Sequence, residues 1–155
     1  MKVNLPDFSQ DGYKSSDDIV EIDKWDTWNC DMTLAKIIYP LLIEYKETTH
    51  SYSYVDNEDV PFELRCISDN DRIPGQGELF PLNDSEDADL KKWNYVLDKM
   101  IESFGLLAND WESDYYEQLD EGQDIRVTLA EIRAIEERIQ EGITLFGKYY
   151  RGIWD

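Results

Sequence analysis

The sequence predicts a mainly α protein, with a compact three-helix core, long ordered loops and a small N-terminal two-stranded element that two short segments could form. Three observations predict it. Apolar residues recur at helical spacing in three separate stretches. Hydrophobic residues make up 41% and aromatics 13% of the 155 residues, with five Trp and ten Tyr, far from the composition of chains that stay disordered. No internal repeat or low-complexity tract divides the chain. A chain of this length buries roughly 68–70% of its unfolded surface, so residues 1–155 read as a single domain.

Near the N-terminus, KVNL and IVEIDKW alternate as short strands do and can pair with each other. The first helix follows from Leu34, Ile37, Ile38, Leu41, Leu42 and Tyr45, an i, i+3, i+4, i+7 stripe, with Asp31 or Thr33 as the N-cap. Pro40 falls inside that stripe and should kink or split the helix. The second helix should start near Asp84 or Ser85, where acids crowd the positive end of the macrodipole. It then runs through Leu90, Trp93, Leu97, Ile101, Phe104 and Ala108. The third is expected from Thr128, with Glu131 completing a capping box, through Ile132, Ile135, Ile139, Ile143, Phe146 and Tyr150. Gly142 and Gly147 lower its propensity, which suggests close approach of another helix or of the Pro40 bend. Polar loops holding THSYSYVDNEDVP and IPGQGELFP connect the helices.

Charge narrows the function classes. With 15 Lys and Arg against 35 Asp and Glu, the formal net charge is -20. Such a field repels phosphate backbones and anionic membranes, so neither direct nucleic-acid binding nor membrane binding is expected; it favours basic partners. High acidity also serves solubility alone. The excess is uneven: residues 67 to 127 carry sixteen acids and five bases, residues 128 to 155 five and four. No run approaches the roughly 20 apolar residues of a membrane span. The opening MKVNLPDFSQDG lacks the apolar run of a secretory signal, so Cys30 and Cys66 read as free thiols in a cytosolic protein.

Catalytic motifs are sparse. His50 is the only histidine, and no HExxH, CxxC, Gly-rich phosphate loop, GxSxG elbow or dinucleotide fingerprint is present. Asp56, Glu58 and Asp59 near His50 could approach a cation, although their spacing is not that of an EF-hand. Glu44 with Glu47 and Glu86 with Asp89 echo the paired ExxE and ExxD motifs by which helical MazG-type pyrophosphohydrolases hold magnesium. No metal ligand and no cofactor is assigned. The aromatic residues are more suggestive: an aromatic surface with adjacent Arg stacks flat rings and neutralises phosphates. Trp25, Trp28, His50, Tyr52, Arg65, Tyr149 and Arg151 are the candidate ligand-binding residues on that ground, although core packing is the commoner use of Trp and Tyr.

The segments KWDTWNCDMTLAKIIYPLL, KETTHSYSYVDNEDVP, KKWNYVLDKMIESF with the later DWE, and RIQEGITLFGKYYRGIWD, taken together, resemble a family of small tailed-phage and marine-virus proteins. The resemblance covers somewhat over half of the chain and brings no activity with it. It implies a protein made in the host cytoplasm during infection, and small phage proteins without catalytic motifs often act by binding. The expected function is therefore non-enzymatic binding that counters host defence by sequestering a small nucleotide-like ligand. An acidic nucleic-acid mimic that occupies a basic host protein is the alternative, and a magnesium-dependent MazG-like hydrolase the third. The near-neutral third helix with Tyr149, Tyr150, Ile153 and Trp154 can also support a homodimer, or fold back on its own core.

Overall fold

The computed structural model describes residues 2–4, 19–65, 85–113, 115–116 and 124–154. Cys66, the IPGQGELFP segment and part of the acidic stretch 67 to 127 lie outside the described residues. The two-stranded element is present: β1 (Lys2–Asn4) pairs antiparallel with β2 (Ile19–Glu21), with Val3 opposite Val20.

A 3₁₀ turn, Lys24–Thr27, leads into the first helix. Its entry is a capping box in which Asp23 Oδ1 accepts from the Trp25 N–H at 3.0 Å and Asp26 Oδ2 accepts from the Asp23 N–H at 2.8 Å. Helix α1 (Cys30–Thr48) starts one turn earlier than expected, with Asn29 rather than Asp31 or Thr33 at the N-cap position. It runs unbroken through Pro40, so the expected split does not occur. Its buried face is Ala35 and Leu42, with Ile38, Tyr39 and Tyr45 packed alongside. Leu34 and Leu41 are exposed instead. Ile38, Leu42 and Tyr45 keep their expected place, and the buried face is the expected stripe turned part of the way towards Ala35 and Tyr39.

Helix α2 (Ser85–Ala108) begins where the acids predict and lies at the centre, with α1 along one side and α3 (Ile125–Tyr149) along another. Its buried apolar residues, Trp93, Val96, Leu97, Met100 and Phe104, form one stripe about 100° wide, with Lys92 and Ser103 buried along its edge. At its end Asn109 Nδ2 donates to the Gly105 carbonyl at 2.7 Å, and Asp110 takes a left-handed conformation with φ 49°. Tyr39 of α1 lies against Gly105, where a Cβ would come within 2.9 Å of the ring.

Helix α3 starts three residues before the expected capping box. Asp124 is the N-cap, accepting from the Arg126 N–H at 2.9 Å, which leaves Thr128 inside the first turn and buried. The buried line in its second half is Ile139, Gly142, Leu145 and Tyr149, while Ile143 and Tyr150 of the expected stripe are exposed. Ion pairs tie the seams: Lys46 with Asp98 between α1 and α2, and Lys99 with Glu141 (2.9 Å) and Arg138 with Glu102 between α2 and α3. Inside the second seam Ser103 Oγ donates to the Ile139 carbonyl at 2.7 Å.

After α3 the chain turns through a short 3₁₀ segment, Tyr150–Gly152, back onto its own core. Tyr45 Oη and Ser51 Oγ both donate to the Trp154 carbonyl, at 3.2 and 2.9 Å. Gly152 rests on Ser53, whose Cβ a side chain at Gly152 would meet at 2.8 Å.

The two glycines of α3 have opposite surroundings. A Cβ at Gly142 would overlap Ser103 Cβ and stand 2.5 Å from the Lys99 carbonyl oxygen, so α2 and α3 touch backbone to backbone there. Nothing lies within 4 Å of one at Gly147, which therefore has no packing role. Gly142→Ala should cost about 1–3 kcal/mol by overpacking. Gly147→Ala should add about 0.5–1 kcal/mol through helix propensity. Thermal denaturation of the two variants beside the unmodified protein checks both signs.

Candidate functional site

Two places bring the sequence-selected residues into view, and they differ in kind. The first is the loop from Thr49 to Arg65. Its start is extended and alternates: Ser51, Ser53 and Val55 face inward, while Tyr52 and Tyr54 face outward. Val55 and Val60 are buried in the main core, which holds both ends of the short turn Asn57–Asp59 against the helices. Between them the polar groups are met by side chains of α2 and α3. Lys92, almost fully buried, donates to Asn57 Oδ1 at 2.8 Å and lies 3.8 Å from Asp89. Tyr149 Oη accepts from the Asp56 N–H at 3.0 Å and donates to the Asp59 carboxylate. Lys148 Nζ bridges Asp56 and Asp59 at 2.7 and 2.5 Å.

These contacts answer two expectations. Tyr149, chosen as an aromatic ligand contact, is only 7% exposed; its ring packs edge-on to Trp93 with centroids 6.1 Å apart, and its hydroxyl is engaged by the loop. Asp56 and Asp59, read as possible cation ligands, hold the Lys148 ammonium. Among the described residues no group of three or more His, Cys, Asp or Glu is placed to hold a metal ion. Of the paired acids, Glu44 and Glu47 are exposed on α1, Asp89 lies beside Lys92, and the Glu86 side chain falls outside the described residues. Lys92 and Lys148, which secure the loop, were not singled out from the sequence. A lysine on the apolar side of a helix, facing a loop rich in Asp and Asn, was the available signal.

Protonation follows this geometry. Burial alone would raise the Asp59 carboxyl, but hydrogen bonds from Lys148 and Tyr149 hold it below the usual carboxylate range. Hydrogen bonds to Asp56 and Asp59 raise the Lys148 ammonium. Burial, then the bond to Asp59, raises the Tyr149 phenol.

The second place is the aromatic edge ahead of α1. Trp25 and Trp28 are 66% and 79% exposed, their ring centroids 6.2 Å apart and the planes inclined by 43°. With Asn29 they line an open notch of about 330 Å³. Lys24 Nζ lies 4.9 Å from the Trp25 ring centroid, a cation on an aromatic face. Of the seven candidate residues, these two tryptophans are a pair the structure brings together. Tyr52 is half-exposed on the outward side of the loop and His50 is exposed on the same loop. The Nε of Arg65 donates to the Val60 carbonyl at 3.1 Å, and Arg151 is exposed in the turn after α3.

No helix of the described residues is long and apolar enough to cross a membrane. No family model matches the chain, and neither a curated protein nor a solved structure matches it.

The loop anchor makes two measurable statements. Tyr149→Phe keeps the ring against Trp93 but leaves the Asp56 N–H without its acceptor and Asp59 without a donor, and should cost about 1–3 kcal/mol in urea denaturation. For Asp59 the folded pKa lies below the unfolded value of about 3.9. Its contribution is therefore complete above that value and lost as pH falls through the folded pKa. Asp59→Asn should be less stable than the unmodified protein at neutral pH and lose less stability on acidification. Parallel acid and neutral melts of the two proteins test this.

Proposed function

We propose that the chain is a non-enzymatic binding protein whose partner is a basic protein segment. The observation that supports this is the net charge of -20, from 15 bases against 35 acids. Lys46, Lys92, Lys99, Arg138 and Lys148 lie in the seams between helices or between loop and helix, each against a carboxylate of its own chain. Each such pair cancels one acid with one base, so the acidic excess still sets the outward field. A surface of that sign draws in basic partners and orients them at long range.

The nucleotide-like ligand finds less support. It needs rings and cations converging on one anion, and here the Tyr149 ring is walled into the core while the exposed Trp25 sits in a turn capped by two acids, Asp23 and Asp26. In the setting that the resemblance to phage proteins implies, an acidic protein in the host cytoplasm would occupy a basic host protein in place of nucleic acid, and so counter host defence.

Isothermal titration against Arg- and Lys-rich peptides, and against a panel of cyclic and ADP-ribose-type nucleotides, separates these readings. Heat is expected from the basic peptides only. It should weaken steeply as salt rises, because exposed charges are screened beyond about 8 Å at physiological ionic strength. Peptide binding insensitive to salt would remove charge mimicry. Heat from a nucleotide with none from the peptides would restore the small-ligand reading.

A further inference from the structure

We infer that the Trp25–Trp28 edge is the contact point for that basic partner and that it takes arginine side chains; this rests on the reading of the protein as a binder of basic segments. Two indoles this exposed, with centroids 6.2 Å apart, form one joint apolar area, and Trp is the residue most often found at energetic centres of interfaces. Their position is not the product of a loose chain. The capping box of Asp23 and Asp26 sets the turn that carries Trp25, and the Trp28 N–H donates to the Trp25 carbonyl at 3.2 Å.

The geometry selects the ligand chemistry. At 6.2 Å the ring centroids are closer than the about 7 Å that two aromatic contact distances require, so a flat group cannot be sandwiched between them. The two rings instead line one open notch with Asn29, where a planar cation can lie against an indole face. Lys24 shows that the Trp25 face attracts a cation, at 4.9 Å from its centroid. An incoming guanidinium has two further attractions that a flat neutral ring lacks. The exposed Asp23 carboxylate, which accepts from the Trp25 N–H at 3.0 Å, lies beside the edge, and a guanidinium can meet a carboxylate with two parallel hydrogen bonds while stacked on an indole. Asn29, in the wall of the notch, directs its Nδ2 towards Met32 Sδ at 3.6 Å, and its amide oxygen is an acceptor for the same group.

Charge decides between occupants. A second copy of a chain with net charge -20 would bring matching acids to the same edge, and an anionic membrane or a phosphate would meet them too. A segment rich in arginine is attracted both by the general field and by the local rings. Lysine shares the first attraction but lacks the planar face that exploits the second.

The test uses the whole protein with short oligoarginine and oligolysine peptides of equal length and charge. Oligoarginine should bind about threefold to tenfold more tightly. In Trp25→Ala with Trp28→Ala the preference should vanish, with oligoarginine affinity down by about tenfold. Lys24→Gln, which removes the resident cation, should bind oligoarginine more tightly than the unmodified protein. Both indoles are exposed, so the alanine pair should keep its helicity. If it does not, Trp25→Phe with Trp28→Phe retains rings of weaker cation attraction and should lose part of the preference. An arginine preference that survives in a folded variant lacking both indoles overturns the inference, as does equal affinity for the two peptides, while the proposed binding of basic segments stands. No binding of either peptide at low salt overturns that function itself.

Discussion

The rest of the structure depends on burying one helix from two sides. α2 packs with α1 and with α3, and one stripe of Trp93, Val96, Leu97, Met100 and Phe104, flanked by the partly buried Tyr95, Ile101, Leu107 and Ala108, serves both contacts. The flanking helices then require only one apolar face each. This division suits an acidic chain. At the seams an acid of one helix meets a base of the next: Asp98 and Glu102 of α2 meet Lys46 of α1 and Arg138 of α3, and Glu141 of α3 meets Lys99 of α2. Exposed pairs of this kind add little to stability. What they do is remove like-charge repulsion from the places where two acidic helices must approach, and so they let Gly142 bring the backbones of α2 and α3 into contact.

The loop from Thr49 to Arg65 is then a second consequence of α2. It covers the region of Trp93, and Tyr149 serves both sides of that junction: its ring is part of the wall around Trp93, while its hydroxyl receives the loop backbone and reaches Asp59. The Asp59 carboxylate is half-buried and loses part of its water there, which would be costly without a partner. Here it meets the Lys148 ammonium and the phenol. The polar cluster therefore specifies one seat for the loop more than it adds net stability, and residues read as ligand or cation contacts are used by the fold itself.

How much of this the sequence showed depends on which signal each part carries. The existence of the three helices was legible because periodic apolar spacing is a property of the local chain. Their faces were less so: Leu34 and Leu41 fit the α1 stripe as well as Ala35 does, and only the close seat of Tyr39 on Gly105 decides the rotation. Caps were missed where two candidates stood within one turn, as with Asp124 ahead of Thr128 and Glu131. Gly142 and Gly147 look alike in sequence, since the backbone that touches the first belongs to another helix. The loop had no period to read, and Tyr149 illustrates the ambiguity of aromatic residues with a polar tip. A tyrosine that anchors a loop and one that lines a ligand pocket are written the same way, and the partner that distinguishes them, Asp59, is ninety residues away.

The candidate site was half legible for the same reason. Trp25 and Trp28 stand in a short-range motif, fixed by a capping box three residues long, so their pairing follows from local chain geometry. Joining them to Tyr52, Arg65 and Tyr149 required tertiary contacts that spacing does not encode. What tertiary structure adds is the contrast in exposure. Tyr149 is absorbed into the core and its polar anchor, whereas Trp25 and Trp28, like Tyr54, Phe62, Tyr150 and Trp154, remain in water. A large apolar side chain left in water gains most from a partner that covers it, and the surrounding charge dictates that partner's sign.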